Sequence, residues 1–77
     1  MNATMLEIKM IHFFQKEYIM ATEGIEKKYN KPCEVVQNAK MRMYGVATYC
    51  QDLGLSYNLI EEMYNLYKEK LENLLTN

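Results

Sequence analysis

The sequence has no tryptophan, one histidine, one proline, three glycines and two cysteines among its 77 residues. We expect His12, which lies between Ile11 and Phe13, to be a partly buried helix residue, and it forms no zinc-ligand spacing with the cysteines. The few glycines form neither a phosphate-binding loop nor a nucleophile elbow. Glu61 and Glu62 point about 100° apart on a helix, so they form no carboxylate dyad. The sequence therefore predicts no enzyme, with no catalytic residue, metal, cofactor or small-molecule ligand.

The two cysteines, Cys33 and Cys50, are too few for a disulfide framework. Both fall in one predicted helix, roughly 25 Å apart at a rise of about 1.5 Å per residue. A disulfide needs Cα atoms within about 7 Å, so the helix excludes an intramolecular bridge. Reduced thiols and the lack of a signal segment predict a cytoplasmic protein. No apolar run reaches the length of about eighteen residues that a membrane span requires.

Hydrophobic residues make up 49% of the chain and charged residues 25%, which is typical of a globular domain. The formal net charge of −1 argues against a nucleic-acid partner recognised through its phosphates. The polar face of the first predicted helix balances four glutamates against four lysines: Glu7, Glu17, Glu23, Glu26, Lys9, Lys16, Lys27 and Lys28. A helix that lies on an anionic membrane should be clearly cationic there, so we predict no membrane partner.

The first helix is predicted to cover about 5–29. A capping-box pattern at Thr4–Glu7 marks its start, because the threonine hydroxyl and the glutamate carboxylate can satisfy unpaired backbone N–H groups. Pro32 ends the pattern by disfavouring helical geometry in the residue before it. The same proline suits the first turn of a following helix.

The second and third helices are predicted at about 32–53 and 57–75. Gly54 provides a C-terminal stop, and Ser56 is the expected N-cap of the third helix. The apolar seam of the second helix consists of Val36, Ala39, Met43, Val46, Cys50 and Leu53, and that of the third of Ile60, Met63, Tyr67, Leu71 and Leu74. With short connections, these helices predict an all-α fold, a compact three-helix bundle that forms one domain over 1–77. We expect it to dimerise into a larger helical bundle.

Helix one has more apolar surface than a three-helix monomer needs. One stripe consists of Ile11, Phe14, Tyr18, Ile25 and Tyr29. A second stripe, about a third of a turn away, consists of Leu6, Met10, Phe13 and Met20. We interpret the second stripe as the interface of a homodimer or another protein partner, since uncovered apolar surface favours association. The alternative is that helix one is wedged into its own bundle core.

Seven tyrosines and seven methionines accompany this pattern. Both residue types are common at protein interfaces. The alternative is that the tyrosines lie at the rim of the core, with their rings packed and their hydroxyls exposed to water. Gly45 lies in the middle of the second helix and predicts the close approach of another helix. The alternative for Gly45 is a slight kink or a tolerated flaw.

The segment Cys50–Ser56, followed by Ile60, resembles the turn of a helix-turn-helix motif. That family has a small residue four before the glycine, a Leu-Gly-Leu-Ser type of turn and an apolar residue four after the serine. The resemblance covers about fifteen residues and implies a DNA-reading third helix that uses Tyr57 and Asn58. The chain departs from the family in charge, since the helix has two glutamates in its first two turns and no basic residue before Lys68.

These observations predict a small helical protein-binding domain, of adaptor, regulatory or inhibitory type, that acts as a homodimer. The alternative is a transcription-associated helix-turn-helix module that uses residues 50–64.

Overall fold

The computed structural model describes residues 3–76, and three α-helices account for most of them. Helix α1 covers Ala3–Glu26, α2 covers Pro32–Asp52 and α3 covers Tyr57–Asn73. Each helix contacts both of the others, and the bundle measures 39 × 18 × 15 Å along its principal axes. The predicted all-α three-helix bundle is therefore confirmed. None of the three described helices has both the length and the apolar character needed to cross a membrane.

The helix starts agree with the sequence signals at two of three places. Pro32 is the first residue of α2, as predicted. Ser56 is the N-cap residue of α3, although its side chain makes no capping hydrogen bond within the described part of the chain. The flanking Leu55 and Ile60 are both buried, as a hydrophobic staple requires. The predicted capping by Thr4 is wrong, because α1 covers Ala3–Glu26 and so includes Thr4 in its first turn.

Helix α1 ends at Glu26, three residues before the predicted end. The backbone N–H groups of Lys28 and Tyr29 donate to the carbonyl oxygens of Ile25 and Gly24, each at 3.2 Å. This hydrogen-bond pair is the Schellman motif that closes many helices, and it requires a left-handed residue after the C-cap. Lys28 takes that conformation, with φ of 58°. The sequence predicted the wrong end because this position is usually a glycine.

The turn between α2 and α3 uses the same motif with the expected glycine. Gly54 has φ of 102°, which an L-residue adopts only with strain. The N–H of Leu55 donates to the carbonyl of Cys50 at 3.0 Å, and that of Gly54 to Gln51 at 2.9 Å. These bonds confirm the predicted glycine stop, with the helix itself ending at Asp52.

The core lies along the axis where the three helices meet. Its buried apolar residues are Leu6, Met10, Phe14, Ala21, Val36, Ala39, Met43, Ala47, Cys50, Leu55, Ile60, Tyr67 and Leu71. Phe14 is central, with its ring 6.3 Å from that of Tyr64 and 5.9 Å from that of Tyr67. The predicted seam of α2 is confirmed at four positions, whereas Val46 is half-buried and Leu53 is exposed beyond the end of the helix.

One carboxylate is buried with the apolar residues. Glu17 is buried on α1 and accepts a 2.8 Å hydrogen bond from Nε of Arg42 on α2. Its expected place on the solvated polar face of helix one is therefore wrong. Glu17 turns inward because α2 supplies a guanidinium that compensates the loss of water around the carboxylate.

Candidate functional site

The four residues proposed as an interface on helix one do not share one surface. Leu6 and Met10 are buried in the bundle core, which is the alternative role considered for this helix. Phe13 is half-buried against that core, and Met20 is exposed. Leu6 and Met10 are therefore closed to a partner while the bundle is folded, and the surface of α1 has to be defined from other residues.

The solvent side of α1 carries two isoleucines that neither predicted stripe contains. Ile8 is 61% exposed and Ile19 is 54% exposed. They lie eleven residues apart, close to three helical turns, so they share one side of the helix with His12 and Gln15 between them. We call these four residues the α1 outer face. The expectation that His12 is partly buried is wrong, because this side of α1 points away from the core.

The charges on the side of the α1 outer face change sign along the helix. Lys9 and Lys16 are both exposed and flank His12 along the helix. Glu23 and Glu26 are exposed on the same side within two turns after Ile19. Glu17 instead is turned into the core and paired with Arg42. The sequence predicted Glu17 as a surface charge, and this side of the helix stays balanced without it, with two exposed lysines and two exposed glutamates.

A concave surface runs between α2 and α3. Its half nearest the turn is an open hollow of about 310 Å³ whose lining includes Gln51, Tyr57 and Glu61. Its other half, of about 390 Å³, is lined by Gln37, Lys40, Met41 and Lys68, with Tyr44 and Tyr64 shared by both halves. We call these nine residues together the α2–α3 groove.

Two tyrosines form the centre of the α2–α3 groove. Tyr44 and Tyr64 meet edge to face, with ring centroids 6.2 Å apart and an angle of 72° between the rings. Tyr64 also packs on the buried Phe14, which fixes the pair to the core. Tyr44 remains 64% exposed, so it presents a rigidly held aromatic surface to a partner.

The two ends of the groove differ in charge. Glu61 lies at the end nearest the turn, whereas Lys40 and Lys68 line the opposite end. Nζ of Lys40 lies 3.1 Å from a carboxylate oxygen of Glu72, and this pair partly neutralises Lys40. Glu61 and Lys68 are therefore the charges that best distinguish the two ends.

Gly45 lies beside the groove on the solvent side of α2. A Cβ atom placed on Gly45 would meet nothing within 4 Å among the described residues. No other helix of the described bundle therefore approaches Gly45 closely. The space above Gly45 is open instead to another molecule.

The residues of the helix-turn-helix alternative lie at the start of α3. Tyr57 and Asn58 are both exposed, and the turn before them has the expected glycine geometry. Glu61 and Glu62 are exposed in the same two turns, and the first basic residue of α3 is Lys68. The two carboxylates would repel the phosphates of DNA, and proteins that read the major groove usually make basic contacts to those phosphates.

Candidate metal ligands are not grouped within the described residues. No group of three or more His, Cys, Asp or Glu residues that could hold a metal lies within residues 3–76. Cys33 is exposed on α2 and Cys50 is buried in the core, and both are free thiols. Burial raises the pKa of the Cys50 thiol, which makes it a poor nucleophile at neutral pH.

Comparisons with known proteins add no relative to these observations. No protein-family model matches the chain, and no curated protein or solved structure matches it. The fold and the two surfaces, the α1 outer face and the α2–α3 groove, are therefore the basis for an inference of function.

Proposed function

We propose that this chain is a small helical protein-binding domain, of adaptor, regulatory or inhibitory type, that acts as a homodimer. The observation that carries the proposal is the exposure of Ile8 and Ile19 at the middle of the solvent side of α1. The core is complete on the opposite side of the helix, so these two side chains contribute little to the stability of the monomer. They are available to stabilise a complex.

The α1 outer face binds the partner protein in this proposal. Full burial of one isoleucine side chain contributes about 1.5–3 kcal/mol, so the exposed halves of Ile8 and Ile19 together offer about 2 kcal/mol. Lys9 and Lys16 lie on this side, and Glu23 and Glu26 lie beyond Ile19. These charges favour a partner with complementary groups of both signs around an apolar patch. Such a surface gives modest affinity on its own, and a homodimer strengthens it by presenting two copies.

The test is a pull-down of the tagged chain from a lysate of its source cell, with and without nuclease. We expect the unchanged chain to retain a protein partner in both samples. The variant with Ile8→Glu and Ile19→Glu should lose that partner, because two charges would be placed in the apolar contact. Leu66→Glu is the matched control, since Leu66 is a similarly exposed apolar residue on α3.

Retention of the partner by the double variant would contradict binding through α1. Circular dichroism checks that the variants keep the helical content of the unchanged chain. Recovery of nucleic acid that nuclease removes, and that Asn58→Ala abolishes, would favour the helix-turn-helix alternative.

A further inference from the structure

We propose that the two copies of the homodimer pair through the α2–α3 groove, antiparallel to each other, about a two-fold axis that passes near Tyr44 and Tyr64. This inference rests on the proposed function, which makes the chain a homodimer, and it assigns the interface and the register. The occupant of the groove is a second copy of this chain, because the groove is complementary to itself.

Charge complementarity along α3 gives the register. Glu61 lies three residues before Tyr64, and Lys68 lies four residues after it. A two-fold axis near Tyr64 reverses the direction of α3 in the second copy. Glu61 of each copy then lies opposite Lys68 of the other, and the dimer gains two equivalent ion pairs. A parallel arrangement would instead place like charges together.

Two glutamines of α2 are placed symmetrically on either side of Tyr44. Gln37 and Gln51 line opposite ends of the groove, each seven residues from Tyr44. Seven residues are close to two helical turns, so both amides lie on the same side of α2. The axis that pairs Glu61 with Lys68 also brings Gln37 of one copy towards Gln51 of the other. Side-chain amides both donate and accept hydrogen bonds, so such pairs satisfy each other.

The edge of the groove on α2 has room for a second copy of α2. Gly45 points about 100° away from Tyr44 around α2, beside the groove, and has open space above it among the described residues. The lack of a side chain there lets a second helix backbone approach closely. Met41 and Tyr44, one turn or less from Gly45, are both more than half exposed and supply apolar contact area around the close approach.

The size of a standard interface sets how much of its surface each copy has to contribute. One partner of a standard interface contributes about 800 Å² of accessible surface. That area is about a seventh of the 5383 Å² that this chain exposes. The groove extends from Gln37 to Gln51 along α2, about 21 Å at the helical rise, and spans two of the three helices. The α1 outer face stays uncovered in this arrangement, so both copies can bind a partner.

The experiment is a charge exchange, measured by sedimentation equilibrium of the full chain at low salt. Glu61→Lys turns both ion pairs of the dimer into repulsive pairs and should raise the dimer dissociation constant at least about tenfold. Adding Lys68→Glu to the same chain restores opposite charges across the axis and should return the dissociation constant to within about threefold of the original. Glu62→Lys is the matched control, because Glu62 is the neighbouring exposed carboxylate and does not line the groove.

A second variant separates the interface from the stability of the fold. Gly45→Gln places a bulky side chain where the described chain has no neighbour, and it replaces glycine by a better helix former. We expect a bundle that unfolds at a higher temperature and yet dimerises at least about tenfold more weakly.

The outcomes distinguish this inference from the proposed function. Loss of the dimer in Glu61→Lys and its recovery in the double variant support the two-fold groove interface. A dimer that all the groove variants leave unchanged, but that Ile8→Glu and Ile19→Glu dissociate, overturns the groove interface and leaves the proposed function intact. A chain that is monomeric before any substitution overturns the groove interface and the homodimer, whereas the pull-down tests partner binding through the α1 outer face separately.

Discussion

Replacing Arg42 by methionine is expected to destabilise the bundle, because the Glu17 carboxylate would remain buried without its partner. The Glu17 side chain is only 7% exposed and lies 2.8 Å from Nε of Arg42. Methionine preserves much of the apolar stem of arginine and removes the guanidinium. The substitution therefore tests the charge and the hydrogen bond more than the packing.

The size of the effect follows from the unequal burial of the two groups. Breaking a fully buried ion pair costs about 3–5 kcal/mol. The Arg42 side chain is 53% exposed, so water already solvates part of the guanidinium and the pair is weaker than that limit. We therefore expect a loss of about 2 kcal/mol, near the value for a hydrogen bond to a charged group. For a domain of this size, that loss lowers the midpoint of thermal unfolding by about 8–16 °C.

Thermal and urea unfolding, followed by circular dichroism, measure the change. Lys16→Met is the control for the loss of one positive charge, since Lys16 is exposed on α1, and it should change stability by less than about 0.5 kcal/mol. A chain with both Glu17→Leu and Arg42→Met should recover most of the loss, because no unpaired charge remains in the core. The reasoning is refuted if Arg42→Met unfolds at the same temperature as Lys16→Met.

Three further predictions concern the backbone and the thiols. Gly24→Ala should raise stability by about 1 kcal/mol in urea unfolding, because the added methyl would meet the nearest neighbour at an ordinary contact distance of 3.7 Å; a decrease would show that the helices pack more tightly there. Lys28→Gly should raise stability by about 0.5–1 kcal/mol. Glycine removes the strain of a left-handed side-chain residue, and this gain exceeds the cost of the greater conformational entropy of the unfolded chain. A destabilised variant would contradict the Schellman closure. A thiol reagent should label Cys33 at once and Cys50 only when the bundle opens, and equal rates would contradict the burial and raised pKa of Cys50.

The parts of the fold that depend on local signals could be predicted from the sequence. Pro32 and Gly54 each impose a backbone conformation that few alternatives satisfy, and they divide the chain into its three helices. The core positions of α2 and α3 could be predicted from the spacing of apolar residues, because apolar residues three or four apart lie on the one side of a helix that faces its neighbours. These elements required no knowledge of which helix packs on which.

The surfaces could not be predicted because they depend on how the helices pack. The sequence predicted Glu17 as a surface charge, because nothing local to helix one indicates that Arg42 of α2 will lie beside it. The exposure of Ile8 and Ile19 could not be predicted, because helix one carries apolar residues on several sides. Only the packed bundle shows which side remains exposed. A separation of eleven residues, which repeats almost exactly after three turns, was the one signal that could have linked them.

The α2–α3 groove depends even more on tertiary structure. Tyr44 and Tyr64 are twenty residues apart and meet only when the turn at Gly54 reverses the chain. The sequence could predict the turn but not the register of one helix against the other, since several registers bury equally apolar seams. Tyrosine-rich composition therefore indicated an interface without placing it.

The measurement that most directly tests the central claim is the mass of the unmodified chain in solution, by sedimentation over a wide series of concentrations. A protein-binding domain that acts as a homodimer should change with rising concentration from the 9.2 kDa chain to a species of twice that mass. A single 9.2 kDa species at every concentration would contradict the homodimer and leave Tyr44 and Tyr64 of the α2–α3 groove without the proposed role.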